Sequence, residues 1–387
     1  MTPPRIPSST QLPGRPYGIG FATDGGGFAL LAQCGEKRCR QRVAVLDRGA
    51  DTWRLGRSPL SDVTGEGMTA GLITLGTGRA LITEGRWPLP DRTWFTRDGS
   101  HTWRRGSTEA SGTTIAVPEG GALVDECVEW DREEQSCGRS RLLAVLPASG
   151  EFRVLKTQPP LEGVVSPAGE IALTRSGSGL PAGASALMGR GPERPGGKLA
   201  LPKSEPLWSA GQPAEKVLFA SGADPESGLA ALAVSEDRGR TWRTARLPGA
   251  DKGGWGMRVV ASGGVLYASQ PGQLPEDDTV KNGLQTIHRS TDGGHTWERT
   301  WKHRKGAEPR SLIGDLLAAA DGSLTVYGEG GAWRSADGGR TFVGASGSQG
   351  FAGSVTVTAL GYLRGEGSYG ISADGIHWHS FDLGDGS

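Results

Sequence analysis

The sequence predicts an all-β chain built from a repeated small sheet, and three observations carry that reading. One turn motif recurs along the 387 residues. A pattern of short apolar strands recurs in step with it. The 64 glycines supply the turns that many short strands need.

The motif is Ser/Thr-x-Asp-x-Gly-x-Thr-Trp/Phe. Ser235-Glu-Asp-Arg-Gly-Arg-Thr-Trp242, Ser290-Thr-Asp-Gly-Gly-His-Thr-Trp297 and Ser335-Ala-Asp-Gly-Gly-Arg-Thr-Phe342 carry it position for position. Thr96-Arg-Asp-Gly-Ser-His-Thr-Trp103 opens on Thr and has Ser100 where the others have Gly. Ser372-Ala-Asp-Gly-Ile-His-Trp378 is one residue short, and Asp47-Arg-Gly-Ala-Asp-Thr-Trp53 is one too long. The chemistry is that of a tight hairpin. The carboxylate accepts from the amides of its own turn, and Gly takes a positive φ without steric cost. Thr and Trp then start a strand, where β-branched and aromatic side chains fit the pleat and the indole buries a large apolar area. Asp98, Asp237, Asp292, Asp337 and Asp374 are therefore assigned structural roles.

On these residues the chain resembles the Asp-box, or bacterial neuraminidase repeat, proteins: sialidases, sortilin-type receptors, xyloglucan hydrolases and photosystem assembly factors. The resemblance implies a β-propeller of four-stranded blades. It also implies that each Asp-box closes the hairpin between third and fourth strands, on the face away from any active site. It leaves the activity open, because these relatives do unrelated things.

The motif aromatics Trp53, Trp103, Trp242, Trp297, Phe342 and Trp378 serve as a ruler. The long interval between Trp103 and Trp242 holds about three periods, so two worn copies are expected inside it. Ser149-Gly-Glu-Phe152 and Pro195-Gly-Gly-Lys-Leu199 fill those places. The second ruler is the apolar strand upstream of each hairpin. It reads Phe28–Cys34, Arg79–Gly85, Ala122–Cys127, Ile171–Gly177, Lys216–Gly222, Val265–Pro271, Leu324–Gly330 and Gly361–Gly367. Both rulers give eight units, hence a single propeller of eight blades, or of seven if the unit around Pro181–Leu201 is only an insertion. Residues 1–15, rich in Pro and Ser, read as a disordered leader, and 16–387 as one propeller domain whose last strand ends the final blade without swapping.

Composition narrows the function. Forty-two basic and 42 acidic residues leave no positive balance, so nucleic acid is not an expected partner. No apolar run approaches the roughly 18 residues a membrane helix needs. Cys34/Cys39 and Cys127/Cys137 each straddle a hairpin loop and lack the CxxC spacing of zinc sites, which predicts two disulfides in a secreted or cell-envelope protein. Residues 1–14 hold no apolar signal core, which keeps a cytoplasmic alternative. No metal or cofactor is expected, and a monomer is.

Candidate binding residues follow from the repeat. Glu84, Glu126, Glu329 and Glu366 close the second ruler at equivalent positions, with Gln33 and Gln270 matching them. They form either a rim of carboxylates for a sugar, a cation or a basic peptide, or local caps for their own turns. Two of them could also act as acid and base on a glycoside. The variable segments 85–92, 129–139 and 270–283 fall on the same face, and binding commonly lives in such loops. Trp87, Trp130, Trp208 and Trp255 suit either stacking on a sugar ring or packing between blades. The acidic clusters Asp131/Glu133/Glu134 and Glu276/Asp277/Asp278 read as solvated charge.

The sialidase resemblance is weaker at the level of residues. Arg5-Ile6-Pro7 matches a sequence in which sialidases place one of three carboxylate-binding arginines, but here it sits in the leader. Tyr327 and Glu329 share one side of a strand, yet no spacing identifies the other partners, and sialidase propellers have six blades. The favoured expectation is a non-catalytic propeller binding a protein or glycan ligand. The alternative is a glycoside hydrolase or lyase of sialidase-like ancestry.

Overall fold

A computed structural model describes residues 2–64, 70–86, 89–131, 136–168, 172–176, 208–211, 217–252, 256–274, 279–349, 353–366 and 368–386. Among these residues there is no helix. Seven four-stranded sheets follow one another along the chain, spanning 15–55, 70–106, 113–155, 162–246, 258–302, 317–349 and 354–381. These are blades one to seven. Six of them run antiparallel in simple order from the first strand outward.

Blade three departs from that order. Ala122–Asp131 pairs with Ser136–Val145, which pairs with Phe152–Leu155, and the outer place is taken by Thr113–Thr114, running parallel. The seven-blade alternative is therefore the one realised. The segment that counted as an eighth unit, Ala172–Ser176, pairs only with Trp208–Gly211, as a hairpin inserted between the first and second strands of blade four. A run of alternating apolar residues fixes that a segment pairs, but not with which partner. The hairpin meets the innermost strands of blades two, three, four and seven, so it lies in the central channel. The worn copy at Pro195–Leu199 lies outside the described residues.

The core is a set of apolar layers between neighbouring blades. Phe28, Leu30 and Val43 meet Ala70 and Ile82 between blades one and two, and Leu232 and Val234 meet Val259 and Ala268 between four and five. The last layer closes the ring: Phe21, Leu31 and Trp53 of blade one face Tyr369, Ile371 and Phe381 of blade seven. Phe21 stands edge-on to both Trp53 and Phe381, at 6.1 and 6.4 Å.

The N-terminal segment is not a free leader. Ile6 and Leu12 are buried in the closing layer, and Ser9 forms a parallel bridge with Leu383. The Ser9 amide donates to Asp382 at 2.8 Å, and the Gly14 amide donates to the Asp385 carboxylate at 2.8 Å. The Pro/Ser content that suggested disorder instead suits an extended strap with few amides to satisfy. Strands His379–Phe381 and Arg15–Phe21 stay in their own blades, so the ring closes without strand exchange.

All five motif aspartates lie between the third and fourth strands of their blades, as expected. In the full copies the Ser or Thr hydroxyl donates to the carboxylate at 2.7–2.8 Å and accepts the amide four residues on. The motif Thr returns both its amide and its hydroxyl to the Asp, for example at 2.9 and 2.6 Å on Asp337. In the short copy the ring of His377 replaces that Thr, with Nδ1 2.8 Å from Asp374. Burial opposes ionisation of Asp98 and Asp237, yet the donors from Thr102 and Thr241 outweigh it and hold both carboxyls at about 2. Asp292 and Asp337 are held lower still, first by the hydroxyls of Thr296 and Thr341.

Two hairpins place a non-glycine residue in the left-handed region, Ser100 at φ 68° and Arg238 at φ 62°. Arg238→Gly should stabilise the protein by about 0.5–1 kcal/mol in urea unfolding, because left-handed strain outweighs the added backbone entropy. Ser100→Gly should not, since the Ser100 hydroxyl donates to the Arg57 carbonyl at 2.7 Å. A second expectation concerns pH. Burial lowers the fully enclosed His288, in the third strand of blade five, from 6.5 to about 4. The unfolded chain takes up that proton as pH falls through 6.5, while the folded chain resists until about 4. Stability present above 6.5 is thus lost across this window. Melting profiles of His288→Gln should lack this dependence.

Candidate ligand-binding rim

Antiparallel geometry sends each second-to-third-strand hairpin to the rim opposite the aspartate hairpins. Side chains of the aspartate rim join several neighbouring blades. Arg54 donates to the Gly99 carbonyl at 2.9 Å, Arg104 to Ser149 at 2.7 Å and Arg243 to Gly294 at 2.7 Å. Each of these arginines directly follows the motif Trp and reaches the next blade. In blade five the same position holds Glu298, which is met at 2.9 Å by Arg340 of blade six. The sequence reading missed this Trp-Arg pairing, although the doublet is visible in three copies. This rim is occupied in holding the ring together.

On the opposite rim the predicted glutamates are mostly engaged. Glu84 is buried, and its two oxygens accept the Ser61 amide at 3.0 Å and the Trp94 indole at 3.1 Å. It thereby ties the connection leaving blade one to blade two. Its charge, after burial itself, keeps the enclosed Tyr17 phenol well above its ordinary range. Gln270 does the matching job in blade five, holding both the amide and the carbonyl of Asp251. Glu329 caps the far end of segment 270–283, accepting the Asn282 amide at 3.0 Å and its side chain at 2.8 Å. Glu126 pairs with Arg141 at 2.7 Å, and Gln33 accepts from Arg42 at 3.3 Å. Glu366 ends the strand Gly361–Glu366 at the equivalent place. The repeat thus brings these residues to one rim, where Glu84, Gln270 and Glu329 hold neighbouring connections and segments.

Part of one variable segment is regular strand. Residues 129–131 and 136–139 continue a long hairpin, with Trp130 opposite Cys137 and Asp131 opposite Ser136. In segment 270–283, Leu274 and Val280 are buried. Trp130 is half-buried. Trp87, Trp255, Glu133, Glu134 and the cluster 276–278 lie outside the described residues, and Trp208 belongs to the channel hairpin. Both disulfides form as predicted, Cys34–Cys39 and Cys127–Cys137, and both pin hairpins on this rim.

Three features went unread in the sequence. Lys37, Arg38 and Arg40 cluster at the tip of blade one beside Asp62. Asp224 is buried in the equivalent turn of blade four, where the Ser227 amide and hydroxyl and Arg246 hold its carboxyl low. Arg258 of blade five bonds Asp315 at 2.9 Å, and Asp315 accepts the Val357 amide at 3.1 Å, so three inner strands are stapled together. Among the described residues no group of three or more His, Cys, Asp or Glu could hold a metal ion, and no helix is long and apolar enough to cross a membrane. Arg5, of the Arg-Ile-Pro match, is exposed, while Ile6 and Pro7 belong to the closing strap.

No protein-family model matches the sequence, and no curated protein matches it. Among solved structures, a prolyl endopeptidase is similar at 12% identity and a TM-score of 0.45, over 92% of this chain and 46% of its own. The chain thus spans under half the length of that enzyme. Apo AztD from Citrobacter koseri is similar at 10% identity and a TM-score of 0.45, over 95% and 86% of the two chains. The Hadza microbial sialidase Hz136 is similar at 11% and 0.34, over 96% and 66%. The seven four-stranded sheets make the fold a β-propeller. At these identities the likeness is one of architecture alone.

Glu84→Ala should cost about 1–3 kcal/mol in urea unfolding, because it strands a main-chain amide and an indole beneath the surface. Glu329→Ala leaves donors that water can reach, and should cost less than about 1 kcal/mol by the same measurement.

Proposed function

We propose that this propeller is a non-catalytic binding module, secreted or held in the cell envelope, which takes a protein or glycan ligand on the rim opposite its Asp-box hairpins. The observation that carries the proposal is the engagement of the rim carboxylates. Glu84 and Glu329 accept main-chain amides and shape loops, and Glu126 is paired with an arginine. Glycoside hydrolysis uses two facing carboxyl groups about 5–10 Å apart, one of them protonated. Glu84 and Glu329 belong instead to blades two and six.

The two disulfides support an oxidising compartment. They also stiffen two hairpins of the rim, which lowers the entropy lost when a ligand is bound. Half-buried Trp130, on the longest of these hairpins, offers an aromatic surface beside acidic and basic groups. The unrelated activities of the Asp-box relatives leave the ligand to the rim itself.

A glycan array read beside fluorogenic glycosides tests the proposal. The expected result is retention of a glycan class, weakened about tenfold by Trp130→Ala, or protein binding on the same rim, with no fluorophore released. Turnover that disappears in Glu84→Gln or Glu329→Gln would make the protein a glycoside hydrolase or lyase of sialidase-like ancestry.

A further inference from the structure

The two disulfides share a rim but not an electrostatic setting. Cys34 and Cys39 face each other on the last rung of the second and third strands of blade one. Four residues close the turn, and the Gly35 amide donates to the Arg38 carbonyl at 2.9 Å. Cys34 and all four turn residues are exposed. Around this bond Lys37, Arg38, Arg40 and Arg42 stand against Glu36 and Asp62. Asp62 is shared, 3.4 Å from Arg38 and 4.0 Å from Arg40.

Cys127 and Cys137 sit in the opposite field. Among the described residues of this hairpin, Glu126, Glu129 and Asp131 stand against Arg139 and Arg141. Both arginines are already bound, Arg139 to Glu129 and Arg141 to Glu126, each at 2.7 Å. Both sulfurs also lie close to carbonyl oxygens, 3.3 Å from Glu129 and 3.1 Å from Arg139.

Thiol–disulfide exchange responds to such differences. A thiolate attacks one sulfur, and the other cysteine must leave as a thiolate. Nearby cations lower the pKa of that leaving thiol and raise the local concentration of an anionic attacker. Carboxylates and carbonyl oxygens do the reverse. We propose that Cys34–Cys39 is a thiol-exchange site for small anionic thiols, and that Cys127–Cys137 is a structural staple.

The first thiolate forms a mixed disulfide with one cysteine and releases the other as a thiolate. A second thiolate then attacks the mixed disulfide, releasing the oxidised small thiol and the second cysteine thiolate. Two thiols supply two electrons, and solvent protonates the cysteines. The backbone does not depend on the bond, because Cys39 exchanges both main-chain hydrogen bonds with Val63, at 2.9 and 3.0 Å. The hairpin therefore survives opening, and its facing cysteines remain placed to close again.

The test exposes native protein to mercaptoethanesulfonate or to cysteamine, quenches with an alkylating agent and maps the labelled peptides. Comparing the two disulfides in one tube cancels the intrinsic reactivity of each thiol. With the sulfonate, Cys34–Cys39 should open about tenfold faster than Cys127–Cys137, the low end of electrostatic steering. The ratio should shrink with cysteamine, with added salt and in a Lys37→Glu/Arg40→Glu variant. Those side chains are exposed, and a melting curve confirms that the variant folds. Equal rates, faster opening of Cys127–Cys137, or a ratio indifferent to both thiol charge and the substitutions would overturn the proposal.

Discussion

A ring of sheets has one seam that chain connectivity does not cover, and in this protein everything else depends on how that seam is sealed. Within the array each blade is bound to the next by the peptide that joins them. Between blades seven and one, contact alone must suffice. The strap around Ile6–Leu12 supplies it by imitation. The motif Trp of blade two donates its indole to Arg57, and that of blade four to Thr157, both in connections leaving the preceding blade. Trp53 has no such predecessor, and its indole goes instead to the Pro7 carbonyl at 3.1 Å. The N-terminal segment thus stands where an incoming connection would have stood, against the aromatic layer of Phe21, Tyr369 and Phe381.

The closed ring divides its two rims by task. One rim is spent on closure, because the aspartate hairpins fold their acceptors inward, and those of blades two and five hand a carbonyl or carboxylate to a neighbour's arginine. The other rim is supported from beneath by Glu84, Gln270 and Glu329. On the reading proposed above, the recognition surface stands on those supports, in hairpin tips, two of them crosslinked. The channel hairpin Ala172–Ser176/Trp208–Gly211 occupies the middle of the ring, which turns attention further toward the tips.

Much of the architecture was legible in the motif, since its hydrogen bonds are local. Ser290, Asp292 and Thr296 lie within seven residues and satisfy one another wherever the hairpin happens to sit. The disulfides were legible for the same reason, as the cysteines flank short turns. The number of blades was not legible with equal clarity. An apolar strand such as Ala172–Ser176 looks alike in a blade and in an insertion, because alternation records burial and not the identity of the partner. The strap was misread because composition describes what a segment can do alone, whereas Ile6 and Leu12 are ordered by surfaces some 370 residues away in sequence.

By itself, then, the amino-acid order determined the repeating unit, the turn that closes it, the two crosslinks and the rim to which the glutamates belong. All of these follow from interactions spanning a few residues or one strand period. Only the tertiary structure decided that the ring has seven members, that its first residues close it and that the rim glutamates mostly serve as props. Those outcomes rest on contacts between residues far apart along the chain, where geometry chooses among partners that local chemistry leaves equivalent.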